Sequence, residues 1–176
     1  MTKSTMYTPR RVLAAAGVTA IAAAIPLTVA ASADAAPNHN SAPSSCRPAN
    51  YRAVITNDHP SMGNRHYRVT LRAAAGYANC TLQGSPQQVI FAQGAGPAGV
   101  NSTPYGDQST RVTFGPGHPV HFDIQTPNTP GGAPVTGASF TLSAPGGVIP
   151  GTGVAGTTVP MQVDKGTQIG PIQPGA

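Results

Sequence analysis

The sequence predicts an all-β domain, an antiparallel sandwich of about seven short strands, set behind an export leader. Three observations carry that prediction. Apolar and polar residues alternate with period two in several short runs. The 176 residues include 21 Gly and 19 Pro, the material of turns. Charged residues make up only 9 %, and helix formers such as Glu, Lys and Leu are scarce. The clearest run is 65–73, where Tyr67, Val69, Leu71 and Ala73 alternate with His66, Arg68, Thr70 and Arg72. A strand puts these two sets on opposite faces, whereas a helix would scatter them around its circumference.

Residues 1–35 read as a secretory signal peptide. Lys3, Arg10 and Arg11 form a positive start, residues 12–31 carry no charge, and Ala33-Asp34-Ala35 offers small residues at both cleavage positions. The apolar run approaches the roughly 20 residues that span a bilayer. It is mostly Ala, however, and Pro26 interrupts it. The expected location is therefore secreted or extracellular, with no membrane span after cleavage. An uncleaved leader tethering the domain to the outer face of the membrane is the alternative. The Arg10-Arg11 pair leaves open whether export is general or twin-arginine. Three of the ten Lys and Arg leave with the leader, so the working domain is less basic than the chain's net charge of +5.

The remainder is long enough for one domain. Residues 36–45 are a polar, Pro-containing linker expected to be flexible. Two cysteines in an exported chain pair, and Cys46 with Cys80 is the one intramolecular choice. The loop of about 35 residues that they close is worth about 3–4 kcal/mol in the chain-entropy model. No CxxC spacing supports a redox role.

The domain proper is expected over 46–164. Its first strand, 51–56, sets Tyr51, Ala53 and Ile55 on one face, and 65–73 follows. The short, nearly all-apolar run 88–92 reads as a central strand. Strands 111–114 and 119–125 are parted by Gly115-Pro116-Gly117, a strong turn signal. In the second of them Val120, Phe122 and Ile124 face inward, while His121 and Asp123 face solvent. Ala138, Phe140 and Leu142 mark another strand. Val159, Met161 and Val163 mark the last, where Pro160 implies an edge strand or a bulge. The Gly-rich stretches 93–106 and 126–136 are expected as long connections, and 165–176 as a loosely ordered tail.

Several of these segments, taken in order, resemble an actinobacterial secreted family known as domain of unknown function 4232. The likeness begins at Cys46-Arg47 and continues through the strand His66-Tyr67-Arg68-Val69-Thr70-Leu71. The family's Cys-x-Leu-x-Gly-x-Pro stands here as Cys80-Thr81-Leu82-Gln83-Gly84-Ser85-Pro86. Its Val-x-Leu-x-Pro-Gly is matched by Val112-Thr113-Phe114-Gly115-Pro116-Gly117, and its late strand by Phe140-Thr141-Leu142-Ser143-Ala144-Pro145. The resemblance implies an immunoglobulin-like β-sandwich, exported or surface-held, with no established activity. Two departures stand out. A second cysteine pair common near the last strands is absent, which leaves those strands without a second clamp. The Asn-Thr usual before the second cysteine is replaced by Ala74-Ala75-Gly76.

No constellation in the sequence demands catalysis. His118 and His121 lie three apart on a strand, so their rings point to opposite faces and do not converge on a metal. His121 and Asp123 share a face, which is read as solvated. No Gly-x-Ser-x-Gly elbow occurs, and Gly84-Ser85-Pro86 is better read as a turn. The chain has no Glu, which leaves paired-carboxylate chemistry little material. There is no Trp for a sugar platform. The best contact surface is the outward face of 65–73, a candidate anion-binding face formed by His66, Arg68 and Arg72. Arg68 and Arg72 stand about 13 Å apart along the strand, a pitch that suits an anionic cell-wall or extracellular polymer. The expected function is a non-enzymatic binding or structural module without cofactor or metal, and without a nucleic-acid partner. An extracellular hydrolase with a loop-borne site, or a metal-handling protein, stays open as the alternative.

Overall fold

The computed structural model describes residues 43–61 and 63–176. The expected cleavage site, the alternative tether and most of the linker lie outside the described residues. Among the described residues one turn of 3-10 helix at Pro48–Asn50 leads into fourteen strands: β1 (Tyr51–Asn57), β2 (Asn64–Ala73), β3 (Cys80–Gln83), β4 (Gln87–Gln93), β5 (Gly96–Pro97), β6 (Thr103–Pro104), β7 (Arg111–Phe114), β8 (Val120–Pro127), β9 (Ala133–Thr141), β10 (Ser143–Ala144), β11 (Gly147–Val148), β12 (Gly153–Val163), β13 (Gln168–Ile169) and β14 (Gln173–Pro174). No α-helix occurs among the described residues. The domain is all-β.

The main sheet runs β5-β4-β9-β12-β1-β2-β8-β13-β6, with β14 added alongside β8. Two-stranded ribbons β3–β7 and β10–β11 complete the structure. The expectation of a purely antiparallel arrangement of about seven strands is corrected here. β1 runs parallel to β12, with Ala53 beside Ala155, and β13 runs parallel to β6. Alternation shows which face a residue takes but not the direction of its neighbour, so this could not be read from period two.

The sheet is curled. β9 and β8 are four steps apart in the ladder, which would separate them by roughly 19 Å if the sheet were flat. Yet Phe140 of β9 and Phe122 of β8 meet edge to face with ring centroids 5.2 Å apart. The β3–β7 ribbon covers the core, where Phe114 meets Tyr51 edge to face at 5.7 Å. All four Phe are buried, as are Ile55, Val69, Leu71, Leu82, Val120 and Ile124. Burying Tyr51 also pushes its phenol up to about 12. The Cys46–Cys80 disulfide is present, with Cα atoms 6.0 Å apart, and ties the start of the domain to β3.

Several expected elements take a different form. The run 88–92 lies in β4, next to the short edge strand β5, and Ile90 is exposed. A register shift between Gln87 and Ile90, where Gln88 adopts φ 51°, turns Ile90 outward. The bulge implied by Pro160 is present: the β9–β12 register shifts between Gly156 and Met161. β12 itself sits inside the sheet between β9 and β1, so it is held by pairing on both sides without a second disulfide.

The stretch 165–176 is not a loose tail. β13 and β14 pair with β8, and Ile169 and Ile172 are each 1 % exposed. The end of the expected linker is also bound in, since Ala78 N–H donates to Pro43 O and Ser45 N–H to Ala78 O.

Candidate anion-binding face

The outer face of β1 and β2 is built by strand alternation. Tyr51, Ile55, Tyr67, Val69 and Leu71 turn into the core, which leaves Arg52, Val54 and Thr56 of β1 beside Arg72, Thr70 and Arg68 of β2. Antiparallel register makes each a direct pair: Arg52 opposite Arg72, Val54 opposite Thr70, and Thr56 opposite Arg68.

The three residues expected to form this face fare differently. Arg68 is engaged. Its Nε and Nη2 donate to Asp58 Oδ2 at 3.1 and 2.7 Å, and Asp123 Oδ1 lies 4.0 Å from its Nε. Burial alone would raise the Asp58 carboxyl, but the His59 N–H, the His59 ring and Arg68 together hold it below its ordinary value. His66 is engaged as well, with Nε2 2.7 Å from Ser61 Oγ. Only Arg72 remains exposed and without an ion pair among the described residues.

Arg52 takes the place of Arg68 in the face. It is exposed and likewise makes no ion pair among the described residues. The alternation of 51–56 already put Arg52 on the outer side, but the register that sets it opposite Arg72 has no sequence signature. Like charges directly opposite on one sheet face are destabilising. Two arginines in register on one face, with Thr70 and Thr56 on the same face, offer five planar donors each to a phosphate, sulfate or carboxylate. A shallow depression of about 480 Å³ lies on this face and is lined by both arginines.

The other candidate chemistry does not assemble. His121 is not on a solvated face: it is 9 % exposed, on the part of β8 that β14 pairs alongside, with Gln173 opposite it. Its Nδ1 lies 3.3 Å from Gly175 O, so the ring is directed to the backbone and not to Asp123. Ser85 is buried and its hydroxyl donates to Ile169 O at 3.0 Å. Among the described residues no three His, Cys, Asp or Glu side chains are grouped as a metal ion requires.

The face and the disulfide lie within a region, residues 46–173, that matches the family model Domain of unknown function (DUF4232). The chain belongs to that family. No curated protein and no solved structure matches it. Among the described residues of this DUF4232 domain, no helix is long and apolar enough to cross a membrane.

Proposed function

We propose that this domain acts outside the cell as a non-enzymatic binding module, and that Arg52 and Arg72 together take an anionic group of cell-wall or extracellular material. The observation that carries the reading is the opposition of the two arginines on an exposed strand pair, without a carboxylate partner among the described residues. An anion seated between them turns a local repulsion into two charge-assisted contacts. The disulfide supports an oxidising compartment. The immunoglobulin-like assignment belongs with this proposal. It is supported by the face-to-face packing of the sheet's two flanks at Phe122 and Phe140.

The test is retention on a polyanion column. Replacing Arg52 and Arg72 with Ala is expected to shift elution to markedly lower salt. The control, Arg47→Ala with Arg111→Ala, removes the same charge elsewhere and is expected to shift it far less. Equal shifts in the two variants would mean that net charge alone drives retention, and the site reading would fall. A screen of ester, peptide and glycoside substrates is expected to show no turnover.

A further inference from the structure

The outer face that carries the arginine pair continues onto an apolar surface, and strand register fixes that continuity. Arg72 stands opposite Arg52. Because Ala53 lies beside Ala155 in the parallel pairing, one residue earlier on both strands sets Arg52 beside Val154. Val154 pairs with Ser139, and Ser139 with Ile90. These five side chains form one row across the outside of the sheet, since the residues next to them in sequence, Leu71, Ala155, Ala138 and Phe91, are buried.

The far end of the row is unusually apolar for a surface. Val154 is 70 % exposed and Ile90 54 %, and Val54 in the adjacent row is 40 % exposed. Only one other large apolar side chain of the described residues, Val148, is comparably open. Scattered exposed apolar residues mean little, but three clustered beside two cations without an ion pair among the described residues carry more weight. Between Ile90 and Val154 the surface sinks into a groove of about 570 Å³, walled on one side by the β4–β5 turn at Ala95 and Pro97. Among the described residues no charged side chain lines it. Its volume is of the size that takes a small ligand.

We propose that the two halves bind one molecule, an acyl amphiphile with an anionic head: the head between Arg52 and Arg72, the chain in the Ile90–Val154 groove. The inference rests on the anion-binding reading of the arginine pair and adds the chemistry of what is attached to the anion. The row from Arg72 to Ile90 covers four strand steps, roughly 19 Å, a length suited to one extended chain and its head. Charge is complementary at one end alone. A wholly polar polymer would leave the apolar half wet, and an uncharged lipid would leave the arginines opposed.

The experiment titrates the full-length chain with dodecyl phosphate, below its micelle-forming concentration, and with ethyl phosphate. Dodecyl phosphate is expected to bind at least about tenfold more tightly, since each buried methylene adds severalfold. Ile90→Ser with Val154→Ser, both at exposed positions, is expected to abolish that gain and leave ethyl phosphate binding unchanged. Arg52→Ala with Arg72→Ala is expected to weaken both ligands. Equal affinity for the two phosphates overturns the amphiphile inference and leaves the anion site standing. Ethyl phosphate binding that ignores the arginines removes the underlying reading too. A chain-length gain that survives in the serine variant, or binding to anionic vesicles without binding to monomeric dodecyl phosphate, overturns the groove as the chain site.

Discussion

Arg52 and Arg72 face each other across the β1–β2 pair, while Arg68, four residues before Arg72 on the same strand, is neutralised by Asp58 at 2.7 Å. The contrast divides the outer face into a structural end and an open end. At the structural end Arg68 anchors the loop after β1 to β2, and its charge serves the fold. At the open end two exposed arginines stand opposite each other in register without an ion-paired acid among the described residues, a destabilising arrangement unless something outside the domain neutralises it.

The Arg68–Asp58 pair should show in the acid range. The Asp58 carboxyl sits below its ordinary 3.8 in the folded protein, so its contribution is complete above the unfolded value and is lost as pH falls through the folded one. Asp107 behaves likewise: hydrogen bonds from Ser109 and Thr110 hold it at about 2. Thermal stability should therefore fall between about pH 4 and about pH 2. Asp58→Asn should flatten part of that fall, and Arg68→Ala should cost about 1 kcal/mol near neutrality, an exposed-pair value. Melting curves across pH check both.

Gly153 should not tolerate a side chain. A Cβ there would overlap the Tyr51 hydroxyl and the edge of the Phe140 ring, both fixed in the core. Gly153→Ala is expected to cost about 2 kcal/mol through overpacking, read by denaturant unfolding. Gly156, three residues on, has open space at the same position, and Gly156→Ala is the matched control.

The C-terminal segment should be part of the folding unit. Ile172 is 1 % exposed and its N–H donates to Gly84 O at 3.0 Å. Ile172→Ala is expected to lower unfolding free energy by about 3 kcal/mol. A change below about 0.5 kcal/mol, the scale of surface substitutions, would mean that the segment is peripheral.

What the sequence disclosed follows from the range of its signals. Tyr67, Val69 and Leu71, or Val120, Phe122 and Ile124, announce their faces because the signal is local, and all six are buried. The Cys46–Cys80 bond was readable because there is no other partner. The stretch Gly153–Gly156 gave no strand signal: Gly153 lacks a side chain because Tyr51 and Phe140 crowd it, not because the chain turns there. Likewise Ile169 and Ile172 fall three apart among Gly and Pro and match no period, yet both are buried. The candidate face shows the same limit. Arg72 was visible from alternation, but its partner Arg52 and the sequestration of Arg68 by Asp58 depend on register and loop path, to which a single sequence is silent.

The most direct measurement of the central claim is a residue-by-residue NMR titration with inorganic phosphate at low salt. The expected result is saturable amide shifts centred on Arg52, Val54, Thr70 and Arg72, reduced at least fivefold in affinity by Arg52→Ala with Arg72→Ala and screened by added salt. Shifts centred elsewhere, or an unchanged titration in that double variant, would contradict it.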